Sequence, residues 1–252
     1  LLAVLAVSYF LGIDISPIVG ALDHSAPTTD SGEMTAEEQQ MGQFVSVVLA
    51  DNEDVWKRVL PAQAGVAYRD PKLVLFSGMV GSACGTAQSA MGPFYCPNDQ
   101  KVYLDTDFFR TMSQRMNAGG DFAYAYVIAH EIGHHVQNLL GILEKSMNAR
   151  QRADEAQANR ISVLTELQAD CFAGIWARQA NEQFGTLEPG DVEEAINAAS
   201  AVGDDTLMKN AGRAVMPDAF THGSSRQRMD WFQRGFQSGQ LAQCNTFGAA
   251  GR

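Results

Sequence analysis

Apolar positions fall along the chain in runs whose spacing switches between helical and extended. Residues 1–13 are uncharged and strongly apolar until Asp14 and Pro17 interrupt. A spanning helix needs about 20 such residues. The run begins at Leu rather than Met, so residues 1–22 read as a truncated transmembrane anchor. The rivals are a signal-peptide core, with Val19-Gly20-Ala21 as cleavage site, and a buried helix. Residues 23–34 are polar and aperiodic, a flexible tether. The remaining residues, 35–252, form one folded domain. Thr35 and Glu38 make a capping box, and the helix they start carries Met41, Phe44, Val45, Val48 and Leu49 on one side. A second helix over 55–60 stops at Pro61. Residues 73–76 read as a buried strand, and 78–91, rich in Gly, Ser and Ala, as loop. Phe94-Tyr95-Cys96 and Val102-Tyr103-Leu104 form a β-hairpin, followed by a helix over 107–116.

Further on the pattern is helical. The run 126–136 holds Val127, Ile128, Ile132 and Val136, with Asp121 as N-cap after Gly119-Gly120. Residues 141–160 are polar and Ala-rich, an exposed helical excursion. The next segment has Leu164, Leu167, Phe172 and Ile175 at helical spacing. Asp191 caps another helix, with Val192, Ile196 and Ala199 on one side. A closing helix carries Met229, Trp231, Phe232 and Phe236. The fold class is α+β, mainly helical, with a small antiparallel sheet or hairpin beside the central helix.

The 252 residues, 46% of them hydrophobic, can bury a proper core. The net charge of −11, without a Lys/Arg cluster, argues against nucleic acid as a partner. Cys84, Cys96, Cys171 and Cys244 allow three pairings, and none lies in a Cys-x-x-Cys. The favoured pairs are Cys84–Cys96, which closes a short loop, and Cys171–Cys244, which ties the tail to a helix. Two bridges imply an oxidising compartment; four buried thiols are the alternative.

The chemistry concentrates in His130-Glu131-Ile132-Gly133-His134. A helix turns about 100° per residue, so residues four apart point the same way. Two imidazoles so placed can hold one zinc ion, and the Glu between them can act as general base toward water. A chance match or a hydrogen-bonded core pair is the plain alternative. His135 lies about 140° from His130 and is read as supporting rather than ligating. Catalytic zinc takes three protein ligands. The metzincin continuation fails, because Gln137 and Leu140 stand where Gly and His are needed. The best third ligand is Glu166, with Asp170 four residues on able to accept the free ring N–H of a ligand histidine. An ordinary solvated acidic face is the competing reading.

Five blocks carry a resemblance: Gly92-Pro93-Phe94-Tyr95-Cys96-Pro97, Tyr103-Leu104-Asp105, residues 129–137, residues 166–174 and Phe220-Thr221-His222-Gly223-Ser224. In them the chain resembles the bacterial neutral zinc metallopeptidases, single-pass membrane proteins with an extracytoplasmic domain. More distantly it is similar to gluzincins such as thermolysin and the membrane prenyl-protein proteases. That likeness implies Glu166 as third ligand and a hairpin edge that takes up extended peptide, with an ordinary sheet strand as the alternative for the hairpin. It also implies His222 and Arg228 as donors to an oxyanion, since the prenyl-protein proteases carry a similar His and Arg six residues apart. A surface His capping a helix is the alternative for His222. The expectation is a zinc endopeptidase of the cell envelope with one Zn2+ on His130, His134 and Glu166. Glu131 is its base, Asp170 orients a ligand histidine, and a peptide or protein is its substrate. The alternative is a non-catalytic envelope assembly or chaperone-like module with a structural or vestigial zinc site.

Overall fold

The computed structural model describes residues 36–88 and 92–249. The expected anchor and tether, and Thr35 of the expected capping box, lie outside the described residues. Among the described residues no helix is long and apolar enough to cross a membrane.

Helix α1, Ala36–Ala64, is continuous where two helices were expected. Its inner face runs unbroken through Val45, Val48, Leu49, Val55, Trp56, Val59 and Leu60, all buried. Asn52, the polar residue in the supposed gap, is also buried and donates from Nδ2 to the Val48 carbonyl at 2.8 Å, which keeps it within the helix. Pro61 does not end the helix. It cannot donate to the Lys57 carbonyl, but the helix runs on for three residues and the Pro61 carbonyl accepts from Gly65 N.

Strands β1 (Lys72–Phe76), β4 (Phe94–Cys96) and β5 (Lys101–Asp105) form a sheet in the order β1-β5-β4. The β4–β5 hairpin is antiparallel, and β1 joins β5 in parallel with Leu73 opposite Val102. Side chains alternate across a strand. Leu73, Leu75, Val102 and Leu104 therefore join the helical core, while Val74, Phe76, Cys96 and Tyr103 form a second cluster.

That second cluster is covered by a hairpin, β2 (Met79–Ser82) with β3 (Gly85–Gln88), where the sequence suggested loop. Gly, Ser and Ala hide the strand pattern, yet Val80 and Ala87 face each other and are buried on the sheet. A disulfide between Cys84 and Cys96 ties the hairpin turn to β4.

The helices follow in order. Helix α2, Thr106–Arg115, is capped by the Asp105 carboxylate. Helix α3, Asp121–Leu139, is buried along most of its length. Its N-cap is Gly120, not Asp121; the exposed N–H of Phe122 is taken at 3.2 Å by Glu194 of α6, Asp191–Ala201. A capping carboxylate from a distant helix leaves no local signature. Helix α6 likewise starts at Gly190, and Asp191 accepts from Glu188 N instead. Helices α4 (Ile142–Arg150) and α5 (Glu155–Phe184) fill the expected excursion and the segment beyond it. Helix α7, Asp204–Asn210, precedes α8, Ser225–Ser238, which opens with a Ser224–Gln227 capping box.

Helices α5 and α8 meet backbone to backbone. A methyl on Gly174 would collide with the Phe232 carbonyl, and one on Gly235 with the Cys171 carbonyl. A second disulfide, Cys171–Cys244, ties α5 to the tail.

Candidate metal centre

The helical register of α3 sets the His130 and His134 rings 4.8 Å apart, nearly perpendicular. Gly133 between them lets α3 approach α5, since a Cβ there would stand 3.0 Å from the Ala169 carbonyl. That approach brings Glu166 under both rings. Its Oε2 lies 3.1 Å from His130 Nε2 and its Oε1 3.5 Å from His134 Nε2. The ligand atoms of the three residues lie within 4.8 Å of one another.

Each histidine is fixed from behind. His130 Nδ1 lies 2.8 Å from Asp170 Oδ1. Asp170, fully buried, also accepts from Tyr126 Oη at 2.6 Å and from Nε and Nη2 of Arg228, both at 2.9 Å. Arg228 Nη2 comes within 3.3 Å of His130 Nδ1. A guanidinium has no acceptor, and both groups aim at the same carboxylate oxygen, so that contact is a crowding of two donors. His134 Nδ1 lies 2.9 Å from Gln137 Oε1. Sequence reasoning passed over Tyr126 and Gln137, although they stand four before His130 and three after His134.

The charges suit a cation. Burial would lower the His130 pKa, but Asp170 and Glu166 override it and push it up to about 10. Burial would raise Glu166 and Asp170, yet the imidazoles hold Glu166 well below its ordinary range, and Arg228 with His130 does the same for Asp170. Two imidazole nitrogens and a carboxylate oxygen, each ring held by its other nitrogen, are a donor set that zinc takes. The residues fit the ion.

The three residues open on a cleft of about 730 Å3. Phe108, Met116, Leu143 and Met147 give it apolar walls, and Tyr95 of the edge strand β4 lines one side. Tyr95 is held by His135 Nδ1 at 2.9 Å and by Asn138 Nδ2 at 3.0 Å, while His135 Nε2 binds the Arg69 carbonyl. His135 thus braces the strand and faces away from the ligands. Glu131 lines the cleft, is buried, and has no hydrogen-bond partner among the described residues. Burial pushes its carboxyl pKa up, against the pull of both histidines.

His222 reaches the cleft from the loop before α8. Asp204 Oδ2 accepts the backbone N–H groups of Thr221, His222 and Gly223 at 2.7–2.9 Å, and its Oδ1 lies 3.4 Å from His222 Nδ1. Arg228 borders the same cleft but is buried behind His130, on the Nδ1 side. Its Nη1 contacts the Val202 carbonyl at 3.4 Å. Its Nε and Nη2 bond Asp170 and Tyr126, on the side of His130 away from Glu166. Asp170 and its partner were separated in sequence by 58 residues, which is why the pairing was not foreseen.

The chain is similar to YpfJ of Escherichia coli K12, 48% identical over 248 residues that cover 98% of this chain and 85% of that protein. It is 44% identical over 241 residues to Rv2575 of Mycobacterium tuberculosis H37Rv, covering 90% and 79% respectively. Neither name states an activity. No solved structure matches the chain. The family model described as "putative neutral zinc metallopeptidase" matches residues 1–247, and the chain belongs to that family.

Proposed function

We propose that the chain is a zinc-dependent endopeptidase. The observation that carries this reading is the convergence of His130, His134 and Glu166 at a cleft that Glu131 also lines. A zinc ion held by the three would supply Lewis acidity, polarising a scissile carbonyl and acidifying water.

Glu131 takes the proton of the attacking water and returns it to the leaving amine. Its buried setting raises its proton affinity, which favours taking the proton from water. His222 supplies a donor to the oxyanion. Its Nε2 has no hydrogen-bond partner among the described residues, and its Nδ1 is held by Asp204 and Thr221. Asp204 raises the His222 pKa, which keeps the ring a donor at higher pH. The edge strand β4 offers backbone groups to an extended peptide. The two disulfides support an oxidising, extracytoplasmic setting, and the apolar run of residues 1–13 supports attachment to the membrane there.

The test is metal analysis of purified protein beside peptide-library cleavage with and without a chelator. One zinc per chain and chelator-sensitive cleavage are expected. Bound zinc with no cleavage of any library peptide, from parent and Glu131→Gln alike, supports the non-catalytic module instead.

A further inference from the structure

The back of His134 connects to the far end of the chain. His134 Nδ1 meets Gln137 Oε1 at 2.9 Å. Gln137 Nε2 donates to the Thr165 carbonyl at 2.8 Å and to Gln168 Oε1 at 3.0 Å. Gln168 Nε2 donates to the Cys244 carbonyl at 2.8 Å. Both glutamines are buried. Cys244 is held in turn by its disulfide to Cys171, and just beyond it Thr246 Oγ1 donates to the Leu164 carbonyl at 2.7 Å. The tail therefore grips α5 on either side of Glu166.

Every bond in this chain has one possible direction. A backbone carbonyl only accepts, so the amide nitrogen of Gln168 must face Cys244 and its oxygen must face Gln137. The Thr165 carbonyl fixes Gln137 in the same sense, which turns Gln137 Oε1 toward His134. An amide oxygen cannot donate, so His134 Nδ1 carries the proton, which leaves Nε2, on the Glu166 side, as the nitrogen that can bind a metal.

We propose that Gln137 is a positioning residue that sets the metal-binding tautomer of His134, and that Gln168 couples it to the C-terminal tail. This rests on the reading of His130, His134 and Glu166 as a zinc centre. It makes the tail a working part of that centre, some 110 residues from His134 along the chain, by way of neutral amides that add no charge to the site.

The test is zinc affinity by chelator competition on the full chain, together with 15N–1H correlation of the histidine rings in the zinc-loaded protein. Gln137→Met should weaken zinc binding about 10- to 100-fold and expose the His134 Nδ1 proton to rapid exchange with water. Gln137→Glu keeps an acceptor for Nδ1 and should keep its proton protected, but it gives up the donor to the Thr165 carbonyl and Gln168 Oε1 and should restore only part of the affinity. Gln168→Met leaves the direct contact in place and should give a smaller loss with faster exchange of the same proton. Parent-like affinity and exchange in Gln137→Met would overturn the proposal. If Gln137→Met does not fold, Gln168→Met decides it, and unchanged exchange there is the overturning result. A parent chain that binds no zinc would instead sink the reading of the centre itself.

Discussion

Arg228 holds Asp170 in a two-pronged grip, Nε to Oδ2 and Nη2 to Oδ1, each at 2.9 Å. With Tyr126 also on Oδ1, the carboxylate cannot turn, and it is aimed at His130 Nδ1. The pair is buried at both ends, so its value lies in geometry more than in net attraction.

Removing one partner should therefore be costly. Arg228→Met leaves an unpaired charge in the core and should destabilise the fold by roughly 3–5 kcal/mol. Arg228→Lys keeps the charge but loses the fork and should fall between the two. Urea unfolding measures both.

Glu131→Gln should retain one zinc per chain while peptide cleavage falls by about 10²–10⁴-fold, the usual contribution of a positioned base. Zinc stoichiometry and single-turnover cleavage on the same preparation check it. An unchanged rate would reassign the base.

Glu166→Ala removes the carboxylate that reaches both rings. Zinc content after dialysis should drop below one per chain. Retention of full stoichiometry would take Glu166 out of the centre.

Without metal, His130 titrates near pH 10 in the fold against about 6.5 for an ordinary histidine. A raised pKa means that the folded state holds the proton more tightly. That contribution to stability is full below about pH 6.5 and is lost as pH rises toward 10. The chelated protein should melt progressively lower across that window. Zinc replaces the proton, so the loaded protein should show a flatter profile. Melting scans at several pH values, with chelator and with zinc, give the comparison.

Asp204→Asn weakens the clamp on the His222 loop and removes the charge that raises the His222 pKa. If protonated His222 is the donor, the alkaline limb of the rate profile should move to lower pH, with zinc affinity unchanged. A profile identical to the parent would separate Asp204 from His222.

The candidate metal-holding residues were readable because they obey helix periodicity. His130 and His134 lie four apart, as do Glu166 and Asp170, and each pair falls on one face. The supporting contacts were not readable, because direction in a hydrogen bond comes from partners far along the chain. Gln137 looked like a departure from another family's motif until Thr165 and Gln168 gave it an orientation. Arg228 was placed near the chemistry on resemblance, but which side of His130 it occupies depends on the depth at which α8 packs. Likewise the β2–β3 hairpin escaped notice since, among the described residues, Val80 and Ala87 are its only buried apolar side chains. The N-terminus of α3 looked self-capped at Asp121 when its partner was Glu194, 72 positions from Phe122.

The meeting of Gly174 with Phe232, and of Gly235 with Cys171, has a mechanical outcome. Arg228 rides on the same helix as Gly235, about two turns earlier. One added methyl at either glycine would act as a wedge, prising the helices apart and lifting the guanidinium off its carboxylate. His130 would then lose its brace through a change that touches neither it nor the cleft.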